Sequence, residues 1–236
     1  MTSGASCRRD PASQNSAATN ALEYERMKAS FRSLMGTVAV ATAFTTSGIS
    51  GPLEDGVAAY QDKAYAKASE IWRPLAEKGD PAAQYLLGTL YVEGKGVERN
   101  DATAVMWFQR AANQGDARAQ YNLGASYAEG AGVQKSEVEA AKWFQRAANQ
   151  GMVFAQLNLA LLYAAGNGVP QDNVEAFKWL ELAFSGLPAG SPRSDVARAM
   201  TDVAAKMTRE ELVEAKRRER QWKVQPEVKT GGGGPN

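Results

Sequence analysis

The sequence predicts an all-α fold, a solenoid of antiparallel helix pairs with 36-residue repeats. Three observations carry that expectation. Eleven positions recur in register over three copies. The apolar residues inside each copy follow helical spacing. Caps and glycines fall where such helices would start and stop.

The register is easily read. Gly79, Gly115 and Gly151 open the series, followed by Ala83, Ala119 and Ala155, then Gln84, Gln120 and Gln156. Leu87, Leu123 and Leu159 come next, then Tyr91, Tyr127 and Tyr163. Each copy then carries a G-x-G-V turn, at Gly94, Gly130 and Gly166, and an Ala-x-x-Trp step ending at Trp107, Trp143 and Trp179. A period in this range marks stacked supersecondary units, none of which buries its apolar face alone.

Each unit divides into two helices. In the first, Ala83, Leu87 and Tyr91 form one stripe at i, i+4 and i+8. Asp80 and Asp116 are its N-caps, and Pro81 takes the first helical position, where a missing N–H costs nothing. The glycine pair Gly94 and Gly96 ends it. In the second helix Ala104, Trp107, Phe108 and Ala111 follow i, i+3, i+4, i+7. Its N-caps are Asn100, Ser136 and Asp172, and Glu139 and Glu175 suit the last two to capping boxes. Gly115 and Gly151 close it in the left-handed position. Gly88 and Gly124 sit inside the first helix, at a cost of roughly 0.5–1 kcal/mol relative to alanine. That cost implies close approach of the paired helix, with a large ring laid over the glycine. Trp107, Trp143 and Trp179 are therefore expected in the core.

The flanks extend the array. Leu53–Gln61 and Ala64–Lys78, joined at Asp62-Lys63, read as a shorter hairpin with Trp72 and Leu75 inward. The array thus runs over 52–187, in units of about 52–79, 80–115, 116–151 and 152–187. Residues 188–224 are expected to cap it: Ser191-Pro192 opens one helix, and Thr208 with Glu211 forms a capping box for another. Residues 225–236, ending in four glycines and Pro-Asn, read as a flexible tail.

Residues 1–26 have no apolar period and read as a disordered leader or an annotation overrun. Residues 27–51 read as a signal-peptide-like segment and linker. Lys28 and Arg32 precede the apolar run Leu34–Phe44, and Ala41-Thr42-Ala43 supplies an A-x-A site. The pattern works best if Met27 is the initiator. The expected location is periplasmic or secreted, with the cytoplasm as the alternative. The run is too short and too rich in threonine for a membrane span, so no membrane insertion of the mature chain is expected.

Composition narrows the function. Lys+Arg 27 against Asp+Glu 26 leaves a net charge of +1, which gives no general attraction to nucleic acid. The basic run Lys216–Arg220 follows Glu210, Glu211 and Glu214 and reads as a solvated face with a Glu214–Arg218 pair. The 236 residues include no histidine and a single cysteine, Cys7. The commonest general base and the commonest zinc ligand are thus missing, and no cofactor is expected.

The strings AAQYLLGTLYVEGKGV (82–97), ARAQYNLGASYAEGAGV (117–133) and FAQLNLALLYAAGNGV (154–169), with the WFQRAANQG helix ends, resemble the Sel1-like repeat family, a relative of the tetratricopeptide repeat. MTREELVEAKRRERQW (207–222) resembles the helix that closes such arrays. The third copy departs from the pattern at Met152 and Ala160. The resemblance implies a right-handed superhelix, hence a right-handed α-solenoid. It also implies a scaffold or adaptor role in bacterial signalling, envelope or host-contact complexes. Some exported, cysteine-rich members have been linked to β-lactam hydrolysis, which makes an exported hydrolase of that type the alternative function. Their cysteine pairs are absent here, as is an S-x-x-K nucleophile, and the K-T-G match at Lys229 has no serine motif to accompany it.

The expected partner is a protein or peptide. First-helix residues off the core stripe would line the concave face: Tyr85, Leu86 and Thr89; Arg118, Tyr121, Asn122 and Ala125; Phe154, Leu157, Asn158 and Leu161. The expected contacts are Tyr85, Thr89, Arg118, Tyr121, Asn122 and Asn158. Asn suits a peptide backbone, since it both donates and accepts, and Arg can hold a carboxylate with two parallel bonds.

Overall fold

A computed structural model describes residues 51–187 and 193–227 of the chain. Among them are ten α-helices and no strand. They are α1 (Pro52–Gln61), α2 (Tyr65–Glu77), α3 (Pro81–Glu93), α4 (Asp101–Asn113), α5 (Ala117–Glu129), α6 (Glu137–Asn149), α7 (Val153–Ala165), α8 (Asn173–Gly186), α9 (Arg193–Ala204) and α10 (Arg209–Gln221). Consecutive helices from α1 to α8 pack on one another, and α9 and α10 both pack on α8. The leader, the signal-like segment up to Ser50, the Ser191-Pro192 start and the tail from Val228 lie outside the described residues.

The caps follow the sequence. The Asp80 carboxylate accepts from the Ala83 N–H at 2.8 Å, and Asp116 accepts from Arg118 and Ala119. Asn100, Ser136 and Asp172 each accept from the backbone three residues on. The capping boxes expected at Ser136 and Asp172 form only in this half. The Glu139 carboxylate goes instead to Lys142. That of Glu175 goes to Lys178 and to Arg218 of α10. A charge partner outcompetes a neutral backbone N–H. Thr208 and Glu211 do close a full box, at 2.7 and 3.2 Å. Met152 supplies no side-chain cap to α7.

Two glycines set the spacing of the array. A Cβ on Gly124 would lie 2.8 Å from Phe144 Cδ1, and one on Gly88 would lie 2.7 Å from Phe108 Cε1. The ring over each glycine is thus phenylalanine and not the adjacent tryptophan. In the third copy Ala160 replaces the glycine and Leu180 replaces the phenylalanine. Gly132 has φ 72°, and a Cβ there would fall 2.3 Å from the backbone of Asp101, the first residue of the preceding unit's second helix. Gly96 and Gly168 make the same contact with Tyr65 and Glu137. The second glycine of each G-x-G turn therefore presses backbone on backbone and fixes how one repeat is staggered on the next.

Of the three in-register tryptophans, Trp107 and Trp179 are buried, at 5% and 1% exposure. Trp143, expected in the core, is half-buried, with the Arg146 guanidinium 4.5 Å from its ring centre. In the first hairpin Trp72 is fully buried and donates its indole N–H to Leu53 O at 3.1 Å.

A row of buried glutamines joins the repeats. Gln84, Gln120 and Gln156 donate to Ala76 O, Ala112 O and Ala148 O, carbonyls in the last turn of the preceding helix that each also accept a glycine N–H. Gln114 and Gln150 donate in turn to the Gln84 and Gln120 side-chain carbonyls, both at 2.8 Å. A buried polar group is tolerated here because it is bonded on both sides.

The far end is closed by α9 and α10, which add Val196, Ala199, Val203 and Ala215 to the core. Arg218 bonds Glu214, the expected pair, and also Glu175 of α8, at 2.7 Å each. The chain does not become a free tail at Gln225. Trp222 sets its ring edge-on to Trp179 at 6.2 Å. The Gln225 N–H donates to Asn149 O at 2.8 Å, and Glu227 pairs with Arg146. Composition alone did not reveal this docking, because it depends on a partner 81 residues away.

Candidate functional site

The first helices of two successive repeats, α3 and α5, border a groove of about 200 Å³. Val92 lines it from α3. Asn122, Ala125, Ser126 and Glu129 line it from α5. The Phe108 ring forms part of its apolar wall, and Arg99 and Ala131 border it from the two turns, Arg99 paired at 3.1 Å with Asp101 at the start of α4. Gly88 lets Phe108 come close to α3, and the stacking of the next repeat brings the α5 residues against it.

The six residues expected to make contacts meet different fates. Tyr85 is buried, packed against Phe108 at 6.2 Å under the Arg118 guanidinium at 4.4 Å, and burial raises its hydroxyl pKa. Tyr121 is buried between Phe144 (5.8 Å) and Phe154 (6.4 Å), and burial pushes its hydroxyl above the usual range. Asn158 spends its amide on Tyr121 and on Phe154 O, at 2.8 Å to the latter. The Thr89 hydroxyl donates to Tyr85 O of its own helix at 3.0 Å. Arg118 already holds a carboxylate with two bonds, that of Asp116, at 2.7 and 3.3 Å. Asn122 is half-buried, lines the groove, and has no hydrogen-bond partner among the described residues.

The two tyrosines and Asn158 thus join helices inside the array. A tyrosine off the core stripe looks solvent-facing on one helix, but the next repeat covers it. Val92, Arg99, Asp101, Ser126 and Glu129 were missed. They belong to no single register row, and only the stacking of two repeats brings them together. Among the described residues no group of three or more His, Cys, Asp or Glu is placed to hold a metal ion. Nor is any described helix long and apolar enough to cross a membrane.

A family model for the Sel1 repeat matches three times in succession, over residues 81–116, 117–152 and 153–186. Residues 81–186 are an array of three Sel1 repeats. A Sel1 repeat protein of Oxalobacter formigenes is 35% identical, with a TM-score of 0.58 over 65% of this chain and 60% of that one. A protective antigen of uropathogenic Escherichia coli with an SLR fold is 28% identical, with a TM-score of 0.50 over 77% of this chain and 50% of that one. The chain therefore spans little more than half the length of these Sel1 relatives. No curated protein matches it. Sel1 repeat proteins generally serve as scaffolds for protein–protein interaction. In this Sel1 array the matched units coincide with α3–α4, α5–α6 and α7–α8, and the groove lies between the first two.

Proposed function

We propose that the protein is a non-catalytic scaffold or adaptor that holds a protein or peptide partner in the groove between α3 and α5, on the concave side of the solenoid. One observation carries this reading: the unpartnered Asn122 amide stands beside an apolar wall of Phe108, Val92 and Ala125. An extended peptide needs that combination, an amide to meet its backbone and an apolar recess for a side chain. The near-neutral charge suits a protein partner better than a nucleic acid. The Lys28–Ala43 pattern adds that the partner is met in the periplasm or outside the cell.

The test is capture of partners from an envelope extract by the purified chain and by Ala125→Trp, which fills the groove, with quantification by mass spectrometry. A partner retained by the natural chain and depleted about tenfold or more on the variant is the expected result. A set of proteins recovered equally on both would remove the groove from the account.

A further inference from the structure

After α10 the chain lies along one edge of the array, across the turns that join each repeat to the next. Val224 sits over Gly151, its Cγ2 3.4 Å from where a Cβ would be. Glu227 sits over Gly115, its Cβ 3.3 Å from the corresponding point. The Glu227 carboxylate accepts from Arg146 Nε and Nη2 at 2.7 Å each, with the Gln120 amide as a further donor. Val224 and Glu227 are three residues apart in sequence and one repeat apart on the array. Three extended residues cover about 10 Å, close to the spacing of packed helices. The strap therefore offers one side chain to each repeat.

Those side chains match the array. Leu182 holds the register position of Arg146 in the next repeat, and the strap residue over that site's glycine, Gly151, is the apolar Val224, which stays 56% exposed. Where the array carries Arg146, the strap presents Glu227.

Arg110 holds the same position one repeat earlier. Its guanidinium lies 4.7 Å from the Trp107 ring centre, as that of Arg146 lies 4.5 Å from Trp143. Gln84 is buried and held by Gln114 at 2.8 Å, as Gln120 is held by Gln150. Gly79 has φ 97°, and Gly115 has φ 91°. The two sites differ in the burial of the ring, Trp107 being buried and Trp143 half-buried, and in occupancy. Among the described residues a Cβ on Gly79 would meet nothing within 4 Å, and Arg110 is exposed with no carboxylate partner.

We infer that Arg110, Trp107, Gln84 and Gly79 form a docking site for an extended segment of a partner protein that presents a glutamate carboxylate, in the pose Glu227 adopts on Arg146. The site is separate from the groove at Asn122 and stands without it.

The probe is the peptide acetyl-Val-Gln-Pro-Glu-amide, titrated into the ¹⁵N-labelled full chain while the Trp107 indole N–H signal is followed by NMR. The expected result is a saturable shift of that signal. Binding weakens about tenfold or more when the peptide ends in Gln, and likewise in Arg110→Leu, the loss of a charge-assisted bond. Leucine is chosen because Leu182 shows that the array accepts it at this register. The Glu-versus-Gln comparison on the natural chain holds even if the variant unfolds. No shift, an equal shift with both peptides, or movement of the Gly115 and Gln225 signals in place of Trp107 would each overturn the inference, the last by showing strap displacement.

Discussion

The Phe144 ring stands where a side chain on Gly124 would begin, with Cδ1 and Cε1 both 2.8 Å from the position of a Cβ. The glycine sits two residues from Asn122 on α5, so the contact that sets the α5–α6 distance also fixes the helix bearing the groove's free amide.

Gly124→Leu should therefore destabilise the fold, although leucine is the better helix former. Overpacking a filled site costs about 1–3 kcal/mol or more. Chemical denaturation checks the sign, and a raised midpoint would contradict the close contact.

The tryptophans should separate. Trp179→Ala empties a buried site and should cost roughly 3–5 kcal/mol. Trp143 is half-buried, so Trp143→Ala should cost clearly less, about 1–2 kcal/mol. Paired denaturant melts decide it; equal losses would place both rings in the core alike.

The contrast shows what was legible. Register, helix boundaries, caps and the core stripe are local properties, and the structure reproduces them from Asp80 to Asp172. The identity of the ring over Gly124 was one residue off, because Trp143 and Phe144 both suit an inward face by spacing, and only helix rotation separates them. The site was legible only in part. Asn122 was found, but the burial of Tyr85 and Tyr121 and the gathering of Arg99, Asp101 and Phe108 around it arise between repeats. The Glu227–Arg146 pair was illegible for the same reason.

Docking of the strap should depend on pH. The Arg146 guanidinium holds the Glu227 carboxyl below its ordinary value of 4.5. A depressed pKa means the stabilisation is present above that value and fades as pH falls through the lower, folded-state pKa. The Gln225 amide signal, fixed by Asn149 O at neutral pH, should move toward its free position below about pH 4.5. Glu227→Gln should show the free position throughout. A Gln225 signal unchanged through acid titration would mean the pair does not hold the strap.

Export is expected from the Lys28–Ala43 pattern. Expressed from Met27 in a bacterium, the protein should appear in the periplasm with a new N-terminus just after Ala43. An uncut product confined to the cytoplasm would contradict this.

The central claim is that a partner docks between α3 and α5. A photo-cross-linking amino acid placed at Asn122 tests it most directly, with one at Lys142, exposed on α6, as the comparison. Irradiation with the captured partner should give a cross-linked species from position 122 and none from 142. Cross-links from 142 with none from 122 would put the partner on the outer face and contradict the account.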